Sequence, residues 1–205
     1  MKNKLFGILL AIGLLISSTT NAQKVFDQGD LQFNAGLGLV GTYLRGVSSS
    51  ANFGFLPSVN ASGEYGVIPT GNIGVVSFGG LMAMHYAPYY SSYNSWRTSY
   101  VDDGHVFSIA FEGRAAWHLH TLQSDKWDVY AGIGMGLITG NLSYTTTITY
   151  YWGYTNTTIN SVPFTKLVFS TFVGGRMMMN DQFGLFAEVG YDALSIMKLG
   201  ITLKI

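Results

Sequence analysis

The chain of 205 residues contains no cysteine. That excludes a disulfide framework and any thiol nucleophile or thiolate metal ligand. Charge is scarce as well: Asp, Glu, Lys and Arg make up 11% of the residues, against roughly 25% in a soluble domain. Eleven bases balance eleven acids, so no basic excess points to nucleic acid as a partner. Beyond residue 22 there is no run of about 18 apolar residues, so no transmembrane helix is expected there. No helix-period hydrophobic pattern appears in that region either. What the chain does have is glycine, 26 residues of it, and aromatic side chains at 15%.

The first 22 residues read as a secretory signal peptide. Lys2 and Lys4 form a positive start, residues 5–16 are apolar, and Thr20 and Ala22 occupy the positions that a signal peptidase reads. No Cys follows, which argues against a lipoprotein anchor. The mature chain would begin at Gln23 and run to Ile205 as one domain, carrying 9 bases and 11 acids.

Eight segments of that mature chain alternate with the period of two that marks a half-buried strand. They span residues 31–41, 53–65, 74–86, 107–119, 127–138, 165–177, 183–191 and 197–205. In the fourth, Phe107, Ile109, Phe111 and Trp117 oppose Ser108, Glu112, Arg114 and His118. The third is the least clean, because Leu81 falls on its polar side. Each is about as long as the ~9–11 residues that a tilted strand needs to cross a bilayer. The connections alternate between long and short. Residues 66–73, 120–126 and 178–182 are short and hold turn chemistry, such as Pro69, Gly71 and Asn72. Residues 42–52, 87–104 and 139–164 are long. Such asymmetry fits a barrel with tight turns at one end and external loops at the other. The fold class expected is all-β: an eight-stranded, antiparallel, up-and-down transmembrane barrel.

A soluble barrel also alternates, with its apolar face turned inward. Two features favour the inverse. The polar faces are mostly Gly, Ser, Asn and Ala, which suit a narrow lumen better than a wet surface. Aromatic residues also lie near both ends of the apolar faces, as at bilayer boundaries. Phe33, Tyr65, Trp117, Trp127 and Phe183 mark the turn side; Tyr43, Phe53, Tyr86, Phe107 and Tyr191 mark the loop side.

In strand number, loop asymmetry, aromatic girdles and the terminal segment from Leu199 to Ile205, the chain resembles small outer-membrane β-barrel proteins of the OmpX and OmpA-transmembrane-domain type. The residues around the cleavage site, Asn21, Ala22 and Gln23, are similar to those of Bacteroidota envelope proteins. The resemblance implies the outer membrane of a Gram-negative cell, with contacts to lipid and lipopolysaccharide. One departure is the last residue: such barrels commonly end in an aromatic, and here Ile205 keeps only the apolar phase.

Seven charges fall on lumen phases: Glu64, Glu112, Arg114, Asp128, Arg176, Glu188 and Lys198. They could line a pore or an active site, or form an internal network that plugs the barrel. Opposite charges with hydrogen bonds offset desolvation, and an eight-stranded barrel is filled by side chains, so the plug is the expectation. His118 and His120 lie close enough for a two-ligand metal clip, but no further ligand stands at convincing spacing. His118 with a nearby Ser could serve acyl chemistry, yet no motif sets the geometry. No enzyme activity, cofactor or metal is expected. The long connections hold an aromatic, poorly charged surface: Tyr89, Tyr90, Tyr93, Trp96, Tyr150, Tyr151, Trp152 and Tyr154. The fifth connection reads as a hairpin prolonging its strands, with edges that could accept a partner strand. These aromatics suit protein or glycan contacts, or they pack on each other and on lipopolysaccharide. Function would lie in surface interaction or envelope structure. The alternative is an accessory subunit of a larger outer-membrane complex.

Overall fold

The structure is a computed structural model that describes residues 25–39, 51–53, 57–192 and 194–205, the second of these by its backbone alone. The signal-peptide region, Tyr43 and the Phe53 side chain lie outside the described residues. In chain order the strands are β1 (Leu31–Leu39), β2 (Ala51–Phe53), β3 (Ser58–Pro69), β4 (Gly74–Ser95), β5 (Thr98–Leu119), β6 (Trp127–Tyr150), β7 (Thr155–Met178), β8 (Phe183–Tyr191) and β9 (Met197–Lys204). Both β2 and β3 pair with the same side of β4, so together they form one stave. Each of the eight staves pairs antiparallel with its chain neighbour. The first strand closes on the last, from Gln32↔Lys204 to Leu39↔Met197. The fold is a closed, eight-stranded, antiparallel up-and-down barrel. Closure removes the open edges that a flat sheet would leave unpaired.

The two-residue period sets which side chains enter. Asn34, Ser77, Glu112, Asp128, Ser170 and Glu188 are buried in the lumen, and Leu81, the irregularity of the third segment, is buried with them. Phe78, Met82, Phe111, Ile133, Phe169 and Ile201 face outward and are exposed. The turn-end aromatics Phe33, Tyr65, Trp117, Trp127 and Phe183 are also exposed, as are Tyr86, Phe107 and Tyr191 at the other end. An apolar belt bounded by aromatic rings therefore surrounds the barrel.

Glycine makes room for the rings inside. Phe186 of β8 lies over the cross-strand pair Gly36↔Gly200 at the β1–β9 seam. Phe172 covers Gly132, and Tyr130 covers Gly174. A methyl group added to Gly200 would collide with the Ala35 carbonyl oxygen and stand 2.7 Å from Phe186 Cε1, and one added to Gly36 would collide with the Leu199 carbonyl oxygen and stand 3.0 Å from Cζ. Large side chains on one strand thus require absent side chains on the next.

The staves differ in length. The four from β4 to β7 have 22, 22, 24 and 24 residues, while β1, β8 and β9 have 9, 9 and 8. At about 3.3 Å per residue, the long strands reach roughly 70–80 Å and the short ones about 30 Å. Residues 139–164 do prolong β6 and β7 as a hairpin, turning through Gly153 at a φ of 82°. Residues 87–104 correct the expectation of a loop: they are strand except for the turn at Trp96 and Arg97. Beyond the belt, polar residues occupy both phases of these strands, so the alternation that marks a strand fades although the pairing continues. The Tyr151 amide donates to the Arg97 carbonyl at 2.9 Å, joining the two hairpin tips. Among the described residues, a sheet of β4 to β7, with the short β2 paired to the base of its β4 side, therefore stands beyond the barrel.

Replacing Gly200 with Val should drive its side chain against the β1 backbone at Ala35 and Gly36 and into the space of the Phe186 ring at the closing seam. The expected cost is about 1–3 kcal/mol, read as a lower urea midpoint for the compact, heat-modifiable form in detergent. An unchanged midpoint would show that the seam tolerates the volume.

Candidate functional site

All seven charges that the alternation places on lumen phases turn inward, and they fall into two linked clusters. The first centres on Arg176, which is 1% exposed. Its guanidinium donates to Asp128 Oδ2 at 2.9 Å and to Gln32 Oε1 at 2.8 Å, and it pairs with the Glu64 carboxylate. It also lies 4.3 Å from the centre of the Tyr130 ring. His118 Nδ1 is 2.8 Å from Asp128 Oδ2, and Nε2 is 3.1 Å from Ser77 Oγ and 3.3 Å from Glu64 Oε2. Gln123 Nε2 donates to Asp128 Oδ1 at 2.8 Å. Two carboxylates, one guanidinium and one imidazole are thus tied together where water is excluded, and Coulomb attraction gains from the low dielectric.

The second cluster centres on Glu188. It accepts from Arg114 at 2.9 Å and from Tyr130 Oη at 3.0 Å, and it pairs with Lys198 Nζ at 2.9 Å. Lys198 also meets Asp192 at 2.6 Å. Arg114 rests 3.6 Å over the Phe172 ring. Glu112, two residues from Arg114 on the same face, takes a different partner, the Ser170 hydroxyl at 2.7 Å. Gln32 was legible as an inward polar residue of the first segment. Asp192 was not, since it sits in a connection with no alternation to place it.

Apolar side chains lie at both ends of this polar filling. Toward the long hairpins, Ala83, Ala110, Ile138 and Leu194 pack together with Phe164 and Val168 against them. Leu194 reaches this layer from the β8–β9 connection. At the turn end, Val25 and Phe26 are buried, and the Phe26 ring stacks on His118 at 4.0 Å. Lys204 Nζ holds this segment by donating to the Val25 carbonyl at 2.9 Å and pairing with Asp30 at 2.8 Å. The space enclosed between Glu64, Arg114 and Phe172 is about 10 Å³, near the smallest void that holds one water.

Ser77, His118 and Asp128 stand in the order of a hydrolase triad. All three are buried, Phe26 covers the imidazole, and Ser77 Oγ also donates to Glu64 Oε2 at 2.9 Å. The Ser77 hydroxyl is thus enclosed by the network rather than open to the surface. His120 turns instead toward Asp27 at 3.8 Å. Among the described residues no three His, Asp or Glu side chains are arranged to hold a metal ion.

The projecting sheet carries the aromatic residues. Tyr90, Tyr93, Trp96, Tyr151, Trp152 and Tyr154 are exposed, and Tyr150 lies 5.8 Å from Tyr154. Tyr89 corrects the expectation of an external aromatic: odd positions of β4 face inward, and Tyr89 is buried edge-on to Tyr144 at 5.8 Å. It lies just beyond the apolar segment of its strand, where composition suggested a loop but strand phase still decides direction.

No family model matches the chain, and no curated protein does. Among solved structures, it is similar to Ail, the attachment invasion locus protein of Yersinia pestis. One Ail structure, in complex with the heparin analogue sucrose octasulfate, has 12% identity and a TM-score of 0.40, and the match covers 86% of this chain and 96% of Ail. A second, described without that ligand, has 12% identity and a TM-score of 0.38, covering 86% and 95%. Likeness at this level adds nothing to the barrel already described from its own strand pairing.

Replacing Arg176 with Ala should leave Glu64 and Asp128 buried without their counter-charge. Breaking such a pair costs about 3–5 kcal/mol, measured by urea unfolding of the barrel in detergent; a loss under about 1 kcal/mol, the scale of an exposed pair, would contradict the network. Ser77 should also resist labelling by a fluorophosphonate probe under native conditions. A covalent adduct at Ser77 would show that the buried hydroxyl is accessible.

Proposed function

We propose that this protein is an integral barrel of a Gram-negative outer membrane that acts in surface interaction through its projecting hairpins. The observation that carries the reading is the division along its axis. The barrel is filled by paired charges and bounded by apolar layers, while four strands continue well past the aromatic belt and end in exposed Tyr and Trp. The outward belt suits lipid, with Trp and Tyr at the headgroup levels. Residues 1–22 would be removed on export, and the residues around Gln23 favour a Bacteroidota source. A filled lumen argues against transport of solutes, and the burial of Ser77 and His118 argues against catalysis.

A second reading, an accessory subunit of a larger envelope complex, is favoured by the outer edge of β7. Its pairing with β8 spans Thr171↔Tyr191 to Met178↔Gly184. Residues 155–170 therefore have no partner strand on that side among the described residues. An open edge can accept a strand from another chain. Pro163 and Lys166 lie on it, residue types that limit unspecific edge pairing.

The first reading predicts that the purified protein gives no porin-sized current steps in planar bilayers. It also predicts that trimming residues 90–103 and 144–160 to short turns abolishes adhesion of expressing cells to protein- or glycan-coated surfaces. The trimmed barrel should keep its heat-modifiable migration. Large conductance steps, or full adhesion by the trimmed protein, would overturn it. Co-purification with a large barrel from native membranes would favour the subunit reading.

A further inference from the structure

The projecting sheet has two faces, and the face continuous with the lumen has an unusual chemistry. Strand register builds three rows across it. One is Tyr89↔Gly104↔Tyr144↔Asn160, the next is Ser91↔Asp102↔Thr146↔Thr158, and the outermost is Tyr93↔Tyr100↔Ile148↔Asn156. All these positions share the inward phase of their strands. Tyr93 and Tyr100 stack with ring centres 4.5 Å apart and planes within 4°. Tyr89 and Tyr144 meet edge to face one row below the central acid. Between the two pairs sits Asp102, aimed by a short chain of hydrogen bonds. The Thr146 hydroxyl donates to Asp102 Oδ1 at 2.7 Å, and Asn160 Nδ2 donates to Thr146 Oγ1 at 3.1 Å.

Charge narrows the ligand class. Across residues 87–106 and 139–165 the only Lys or Arg is Arg97, and it lies in the hairpin turn with its guanidinium 4.5 Å over the Trp96 ring. The acids in the same segments are Asp102 and Asp103. Among the described residues a polyanion at this face would meet the Asp102 carboxylate, and the nearest inward-phase Lys or Arg on these strands, Lys166, lies six residues down β7 from Asn160, so the local sign is wrong for attraction. An added peptide strand would seek backbone groups at a sheet edge, whereas this is a sheet face that offers only side chains. What remains on offer is aromatic rings, an oriented carboxylate, a carboxamide and hydroxyls. A sugar ring presents the complement: an apolar C–H face that lies against an aromatic ring, and adjacent hydroxyls that donate to a carboxylate and accept from an amide.

We infer that the inward face of the β4–β7 projection, centred on Asp102 between Tyr93–Tyr100 and Tyr89–Tyr144, is a binding site for an uncharged saccharide. The inference rests on the surface-interaction reading and names its ligand class. Stacked tyrosines are held by their own pairing, so little rotamer freedom is lost when a sugar settles on them. Asp102 is also held before the ligand arrives.

The test uses the full-length protein in detergent micelles against an array of neutral and sulfated oligosaccharides, with fluorescence titration of any neutral hit. Asp102→Ala and Tyr100→Ala should each weaken neutral-glycan binding by about tenfold or more, on the scale of a central aromatic or charged contact. Tyr100→Phe, which keeps the ring, should retain most of it. Thr147→Ala, on the opposite face of β6, should leave binding unchanged. Heat-modifiable migration of each variant shows whether the barrel has folded. Binding confined to sulfated glycans and lost with added salt would overturn the proposal. So would neutral binding that Asp102→Ala and Tyr100→Ala leave intact while the barrel stays folded, or displacement of the sugar by unrelated peptides. If no neutral glycan binds while adhesion still depends on the hairpins, the saccharide is refuted and the surface reading stands. If adhesion is also independent of the hairpins, both fail.

Discussion

The structure depends on how a narrow ring of eight strands disposes of the charge it encloses. Arg176 cannot reach water, so its guanidinium must find acceptors within the wall. It takes them from β1, β3 and β6: Gln32, Glu64 and Asp128. One buried cation thereby links three other staves to β7. Glu188 does the converse from β8, collecting Arg114 from β5 and Lys198 from β9. Because removing any one partner strands another in a low-dielectric interior, the pairs act together rather than as independent contacts. Among the described residues, side chains that satisfy these charges also fill the lumen around Glu64, Arg114 and Phe172, where the enclosed space is about 10 Å³.

Glycine is the other half of the same constraint. A filled lumen needs large side chains such as Phe186, Phe172 and Tyr130, and each occupies space that a neighbouring strand vacates by having no side chain at all. The abundance of glycine therefore has a packing reason on the inner wall. Space decides at Gly36 and Gly200, whereas at Gly153 the left-handed backbone of the hairpin turn favours glycine.

Four strands outgrow this filled barrel. The same two-residue period that sorts lipid-facing from lumen-facing residues continues past the belt. There it sorts two wet faces, one bearing Thr145, Thr147 and Thr149, the other bearing the tyrosine pairs and Asp102. The Tyr151–Arg97 link ties the two tips, so the face is presented by a joined sheet rather than by separate loops.

The sequence by itself determined the barrel. Strict alternation, small inward residues and aromatic ends specify strand number, facing and the inward direction of all seven charges, because a one-residue phase leaves a side chain no third choice. It also marked Gln32 and Tyr130 as inward without saying what they touch. Partner choice belonged to the tertiary structure. That Arg114 meets Glu188 rather than the adjacent Glu112, and that Asp192 and Phe26 join the filling from outside any alternating segment, follows from which staves face each other across the lumen. The length of β4 and β5 was hidden for a related reason. Where both faces are wet the hydrophobic period disappears, and only hydrogen bonding to neighbouring strands keeps residues 87–104 extended. Phase is a local property written in each segment; partnership across a closed ring is not, and only the fold decides it.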